Sequence, residues 1–251
     1  MKITEYSIET KKNNIDQKIC IVSDLHSRSY QNCLDAIKST SPDIIILAGD
    51  ILERLDGKAD KQNKLGFEFL ENVGKIAPTY YTFGNHERFG SHKEMRTNPV
   101  STPWMTEENL KMLRATKVSL VNDSYLKQEN FIIGGIIPIN DMTCEKPVLN
   151  WLDDFSSFDE FKILVSHQPE YFDKYLKDFD FDLMISGHTH GGQWKFFGRG
   201  VWAPNQGLLP KYSSGVYHNR LVVSSGATNT AKMIPRFFNP CEIVLLNIKS
   251  V

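Results

Sequence analysis

Five short apolar runs punctuate this chain, and each breaks off at the same kind of residue. Lys18–Val22, Ile44–Ala48, Thr79–Phe83, Phe161–Val165 and Phe181–Ile185 have the length of strands, and most are rich in β-branched or aromatic side chains. They empty into Ser23-Asp24-Leu25-His26, Gly49-Asp50, Gly84-Asn85-His86-Glu87, Ser166-His167 and Gly187-His188-Thr189-His190. Apolar runs without alternation are strands covered on both faces, which is the condition of parallel sheets. Helical patterns at Cys33–Ile37 and Leu65–Val73 lie between them. Such alternation predicts an α/β layered architecture, in which ligands gather at the C-terminal edges of strands.

The remaining segments fill out that plan. Ile3–Ile8 alternates apolar and polar as a half-buried, peripheral strand does, and Lys11–Gln17 is its turn. Arg88–Pro103 is a polar loop near the site, and Thr106 is the N-cap of a helix to Arg114. Val118–Val121 and Phe131–Ile137 read as strands, and Val148–Phe158 and Tyr171–Leu176 as helices. Leu221–Ser224 and Glu242–Ile248 fit a second sheet packed on the first. No linker, repeat or charge block interrupts the sequence, so residues 1–251 are expected to form a single domain.

Charge and cysteine usage exclude several classes. A net charge of -1, with Lys and Arg interspersed among acids, supplies no global field for nucleic acid. The four cysteines, Cys20, Cys33, Cys144 and Cys241, show no C-x-x-C spacing, so reduced thiols are expected instead of a zinc-thiolate site or a disulfide framework. The polar N-terminus and the absence of a long apolar run predict a cytoplasmic protein.

Any one of the five polar blocks alone is as readily a solvated loop as a site. Taken together they supply Asp24, His26, Asp50, Asn85, His167, His188 and His190, seven oxygen and nitrogen donors from five segments. If Ser186–His190 stays extended, His188 and His190 fall on one side, and two converging neutral imidazoles suit a metal. Seven donors exceed what one divalent ion uses and fit two that share a carboxylate, for which Asp50 is the natural bridge. A set without sulfur suits Mn, Fe(II) or Zn. Two such ions lower the pKa of a shared water and clamp both sides of a phosphorus undergoing in-line displacement.

Asp24-x-His26, Gly49-Asp50-x-x-Glu53, Gly84-Asn85-His86-Glu87, His167 and Gly187-His188-x-His190 resemble, in order and spacing, the five blocks of the calcineurin-like metallophosphoesterase superfamily. The resemblance spans about residues 18 to 250 and implies a four-layer αββα sandwich of two mixed β-sheets flanked by helices. It assigns Asp24, His26, Asp50 and His190 to one ion, and Asp50, Asn85, His167 and His188 to the other. His86 then stands outside the metal shell as the catalytic group that stabilises the phosphoryl oxygens and protonates the leaving group. The implied reaction is hydrolysis of a phosphoester or pyrophosphate by a hydroxide bridging two divalent ions.

The Gly187–Gln193 block and the ending Pro235-Arg236-Phe237 to Ile243 resemble a bacterial branch of membrane-associated phosphohydrolases, some of which cleave the pyrophosphate of lipid-bearing UDP-sugars. An N-terminal hydrophobic anchor common in that branch is not expected here. Arg236 is read as a substrate-binding cation. Apolar residues from Trp194 to Leu209 and at Phe237 and Phe238, mixed with Lys195, Arg199 and Lys211, suit a rim for a substrate with an apolar tail, or else fill the core between the sheets. The rim reading implies peripheral contact with the inner face of the membrane and no obligate protein partner. A cytosolic nucleotide phosphodiesterase or phosphatase keeps the same chemistry, and a non-catalytic scaffold is set against by His86. Glu53 and Glu87 are either partners of a ligand histidine or exposed acids, while His92 and His218 are expected in solvated loops.

Overall fold

In the computed structural model, which describes residues 1–12, 15–53, 59–88, 107–139, 146–229 and 234–251, the apolar runs become interior strands of two six-stranded sheets. The first consists of β1 (Lys2–Thr10), β2 (Asp16–Val22), β3 (Ile44–Ala48), β4 (Thr79–Thr82), β5 (Val118–Leu120) and β16 (Glu242–Ser250), in the order β1-β16-β2-β3-β4-β5. The second consists of β6 (Ser124–Lys127), β7 (Phe131–Ile136), β8 (Phe161–Ser166), β9 (Leu183–Ser186), β14 (Gly215–Tyr217) and β15 (Leu221–Val223), in the order β14-β15-β9-β8-β7-β6. Both are mixed: β2 to β5 run parallel and so do β7, β8, β9 and β15, whereas β16 opposes β2, and β6 and β14 oppose their neighbours.

Period-2 alternation divides the apolar side chains between two faces. Ile19, Ile21, Ile44 and Ile46 meet Ile133, Ile163, Val165 and Ile185 between the sheets. Cys20, Val22, Ile45 and Leu47 turn the other way, onto Leu34 and Ile37 of α1 (Gln31–Thr40) and Phe69 and Leu70 of α2 (Ala59–Val73). Leu113 of α4 (Glu107–Ala115) joins this layer, and α3 (Asn85–Arg88) lies at the edge of β4. On the far side of the second sheet, Ile132, Leu164, Met184 and Val223 pack on Leu152 and Phe155 of α5 (Leu152–Ser156) and on Tyr171 and Leu176. The layers are helix, sheet, sheet, helix, and each fully buried Ile or Leu contributes about 1.5–3 kcal/mol.

Several elements differ from the sequence reading. Glu242–Ser250 joins the first sheet, between β1 and β2, because its two apolar faces match that sheet: Val244, Leu246 and Ile248 point between the sheets and Ile243 toward the helices. A strand apolar on both faces does not announce which sheet it enters. The edge strands β6 and β14 carry no apolar run. The helix expected over Val148–Phe158 is confined to Leu152–Ser156, and the one over Tyr171–Leu176 is a π-type turn, Phe172–Leu176. Strand β9 starts at Leu183 and not at Phe181; just before it, the Asp182 carboxylate accepts the Lys162 backbone N–H at 2.8 Å.

After β9 the chain forms two small hairpins, β10 (Lys195–Phe196) with β11 (Arg199–Gly200) and β12 (Trp202–Ala203) with β13 (Gly207–Leu208). Cys20 and Cys33 are buried and Cys241 half-buried, all as free thiols; burial pushes Cys33 up to about 12. Thr106, His92, Cys144 and the loop beyond Arg88 lie outside the described residues. Among the described residues no helix is long and apolar enough to cross a membrane.

The two glycines of β7 test how tightly the layers close. A Cβ on Gly135 would overlap the Val121 carbonyl and the Thr82 hydroxyl, whereas one on Gly134 would come to 2.7 Å from the rim of the half-buried Trp151 ring. Backbone cannot move aside as a ring edge can. Gly135→Ala is therefore expected to lower stability by about 1–3 kcal/mol and Gly134→Ala by less, as read from denaturant midpoints at constant m-value.

Candidate metal centre

Every donor block lies where a strand ends, and the backbone there turns sharply. Asp24, His26, Asp50, His188 and His190 all have φ between 48° and 71°, in the left-handed region that costs a side chain about 1–2 kcal/mol per residue. The loops after β2 and β3 remain paired through this turn: the N–H groups of Asp24, His26 and Ser27 donate to the carbonyls of Gly49, Asp50 and Ile51 at 2.9–3.0 Å. Close approach explains the preceding glycines. A Cβ on Gly49 would sit 2.5 Å from the His167 ring, and one on Gly84 would overlap the Asp50 carboxylate.

Glu87 fastens these loops together. Its fully buried carboxylate accepts from the backbone N–H groups of Asp50, Leu52 and Gly84, each at 2.8 Å, and from the Tyr81 hydroxyl at 2.6 Å. Burial, and then the charge of Asp50, push this acid up to about 7, while the donors oppose them. Three of its four lone-pair directions face N–H groups that can only donate, so the ionised form fits the site. Glu87 is thus a partner of backbone, not of a histidine.

Asp24 and Asp50 are buried side by side with imidazoles on several sides. Asp50 Oδ2 lies 3.1 Å from His167 Nε2, 3.8 Å from His26 Nε2 and 4.0 Å from His86 Nε2, and Asp24 Oδ1 lies 3.5 Å from His190 Nε2 and 3.9 Å from His167 Nε2. Among the described residues three sets have donor atoms close enough to hold an ion: Asp24, His26 and His190; Asp50, His167 and His188; and His26, Glu53 and His86. Both ring nitrogens of His26 and Oδ1 of Asn85 are buried without a hydrogen-bond partner, and Nε2 of His167 has only the Asp50 carboxylate before it. Buried polar atoms left this way cost free energy unless something else satisfies them, and a divalent cation fits lone-pair donors around two carboxylates.

The electrostatics set the imidazoles apart. Burial pushes His188 down to about 3 and His190 down to about 4, helped by the neighbouring imidazoles, so both stay neutral. Burial also pushes His167 down, but the adjacent Asp50 carboxylate outweighs it and lifts His167 to about 10. Despite burial, the facing histidines hold Asp24 below the usual carboxylate range and Asp50 well below it.

An outer layer orients the rings. His167 Nδ1 donates to the Ala48 carbonyl at 2.6 Å, which aims Nε2 at Asp50. His86 Nδ1 meets Glu53 Oε1 at 2.5 Å, and Glu53 Oε2 is 3.6 Å from His26 Nδ1. Asn205 reaches His188 Nε2, and Arg236 Nη2 reaches His190 Nδ1, both at 3.2 Å.

Seven of the eight residues singled out in the strand-end blocks lie around this one centre, and the eighth, Asn85, precedes His86 in α3 with its Oδ1 buried and unpartnered. His188 and His190 do not share a side, because the strand stops at Ser186 and both take positive φ; the His188 ring lies against His167 and the His190 ring against His26, with centroids 5.1 and 5.3 Å apart. Asn205 gave no signal in the sequence. His218 is exposed and stacks on Phe172, away from the centre.

If Glu87 sets the loop geometry, its amide isostere has a measurable cost. Glu87→Gln turns an NH2 toward N–H groups or the Tyr81 hydroxyl, and is expected to remove about 1–3 kcal/mol of stability. Metal affinity is expected to fall on the order of 10- to 100-fold, read by titration against a competing chelator.

Comparison with known proteins agrees with this layout. Residues 17–192, which include all five donor blocks, match the family described as calcineurin-like phosphoesterase. An uncharacterized metallophosphoesterase of Campylobacter jejuni is 28% identical over 99% of this chain, which spans 63% of that relative's length. One of Aquifex aeolicus is 25% identical over 99% of this chain and 92% of its own. The UDP-2,3-diacylglucosamine pyrophosphatase LpxG of Chlamydia muridarum is 26% identical over 91% of this chain and 82% of its own. With the match covering β2 through the His188–His190 loop, the chain belongs to the calcineurin-like phosphoesterase family.

Proposed function

We propose that the chain, acting as one domain over residues 1–251, hydrolyses a phosphoester or pyrophosphate with two divalent cations held by the strand-end donors. The class, a metal-dependent phosphoester hydrolase, follows from the family. The observation that carries the dinuclear reading is the set of unpartnered buried atoms on His26 and Asn85, with the His167 ring facing Asp50, beside two buried carboxylates. Asp24, His26, Asp50 and His190 would hold one ion, and Asp50, Asn85, His167 and His188 the other, with Mn, Fe or Zn all suited to the donors. When bound, the pair would lower the pKa of a water and neutralise charge on the phosphoryl oxygens.

The chain's own groups supply the rest. Asp50, with Oδ2 near both His26 and His167, is the acid placed to belong to both ligand sets. Glu53 holds His86 Nδ1 and so fixes the ring, leaving Nε2 to carry a proton to the departing oxygen. The Arg236 guanidinium, beside His190, would face a phosphate oxygen of the substrate.

The substrate proposed is a phosphoester or pyrophosphate with an apolar tail. The relative named for UDP-2,3-diacylglucosamine supports this, as do the exposed side chains of Trp194, Phe196, Trp202 and Phe237 beyond the donor loop. The enzyme would then act from the cytoplasm in peripheral contact with the membrane, without nucleic acid or an obligate protein partner.

Two substitutions separate ligand from acid. Asp50→Ala is expected to lose metal, measured by elemental analysis, together with activity, whereas His86→Ala should keep metal and lose on the order of 10² to 10⁴ in rate. The His86 loss should shrink on esters with good leaving groups, and full metal retention by Asp50→Ala would overturn the shared carboxylate. For the substrate, kcat/KM is expected to be higher on an acylated UDP-sugar than on its deacylated match below the micellar concentration. Equal values would favour a small nucleotide instead.

A further inference from the structure

From Leu183 to Cys241 the chain contains no Asp or Glu. Lys195, Arg199, Lys211, Arg220, Lys232 and Arg236 fall within that stretch, a formal +6 in a chain whose net charge is -1. The same stretch exposes bulky apolar side chains. Phe197, at the turn of the β10–β11 hairpin, is fully exposed; Phe238, Leu208 and Leu209 are 80%, 73% and 71% exposed. Phe197, Leu209 and Phe238 take φ of 50°, 52° and 51°, a conformation in which glycine or asparagine is the unstrained choice.

These tips are joined to one another and to the centre. Phe196 and Phe238 have ring centroids 6.4 Å apart, and the Leu209 N–H donates to the Val201 carbonyl at 2.8 Å. Between the β10–β11 hairpin and the segment after β13 is a cavity of about 370 Å³ lined by Arg199, Lys211, Leu209 and Tyr217, with Gly198 and Gly200 in its wall. Gly200 rests on Gly192 of the donor loop. Asn205, between β12 and β13, reaches His188, and Arg236, two residues before Phe238, reaches His190.

We propose that this face docks on an anionic lipid bilayer, with Phe197, Leu208, Leu209 and Phe238 entering the interface and the Arg199–Lys211 cavity facing phosphate-bearing headgroups. It deepens the lipid-substrate reading above by naming the surface and its partner. A protein partner of ordinary affinity needs a continuous, shape-matched area of about 800 Å² on each side. Separate apolar tips on convex hairpins instead suit a fluid phase that closes around each of them. No acid within the stretch itself repels an anionic headgroup layer, and its Lys and Arg attract one; Asp173, from outside the stretch, pairs with Lys211 at 2.7 Å, so a headgroup phosphate would compete with that carboxylate there. Docked this way, the hairpins place the His188–His190 loop at the headgroup level.

Sedimentation with phosphatidylcholine vesicles, with and without phosphatidylglycerol, tests this in chelator, where no turnover occurs. Partition onto the anionic vesicles is expected to be on the order of tenfold greater and to fall with salt. Combining Phe197→Ser, Leu209→Ser and Phe238→Ser should lower it on the order of tenfold at an unchanged melting temperature. Arg199→Glu with Lys211→Glu should abolish the preference for the anionic lipid. Folded protein that binds neither vesicle would overturn the docking, and equal binding to both would overturn the headgroup site. A concentration-dependent dimer abolished by the triple serine variant would assign the face to a second copy of the chain. Because binding is read without turnover, a protein that docks but hydrolyses nothing would leave this inference standing and remove the hydrolase reading.

Discussion

The centre depends on a carboxylate that need not touch metal or substrate. Glu87 gathers the backbone N–H groups of Asp50, Leu52 and Gly84, and so binds the loop after β3 to the loop after β4 from beneath. Those N–H groups lie where the strands have ended and no ladder partner remains, so in a buried turn they would otherwise be unsatisfied. One buried anion replaces the missing sheet edge. Its carboxylate and that of Asp50 raise each other's cost of ionisation, and the imidazole of His167, 3.1 Å from Asp50, offsets part of it.

A centre built in this way stores several unfavourable terms in a small volume. Five donor residues hold left-handed backbone, two buried carboxylates lie close together, and neutral imidazoles are kept out of water. The two packed apolar layers between and outside the sheets offset these costs. Rigid strands end at the point where the polar loops begin, so the loops cannot relax by shifting as a body. The family's chemistry sits on the least relaxed part of the chain because the most rigid part supports it from below.

The sequence announced the interior strands and the donors for one reason: both follow from local pattern. Runs such as Ile44–Ala48 are unbroken because both faces are covered, and an acid or imidazole directly after each run leaves little ambiguity. What stayed hidden depends on contacts distant in sequence. Nothing in Glu242–Ser250 states that it inserts between β1 and β2, and nothing in Asn205 states that a hairpin turn brings it to His188. Glu87 was visible as an acid in a polar block, but its role as an acceptor for three backbone groups required the loops to be folded. The opposite orientations of His188 and His190 escaped because period-2 reasoning fails as soon as φ becomes positive.

The place of β16 bears on the order in which the molecule can assemble. Lys2 pairs with Glu242 and Thr10 with Ser250, so β1 has no sheet neighbour until β16, far later in the chain, is in place. The Ala227 N–H bonds the Ser23 carbonyl, and the Glu242 N–H bonds Gly226, so the turn carrying Asp24 is also secured late. The parallel β2-β3-β4 core can form from segments close in sequence, yet the donors would stay incompletely fixed until β16 slots into the sheet. Closure of the centre is thereby tied to the pairing of β16, a contact between segments far apart in sequence and of the kind that forms slowly.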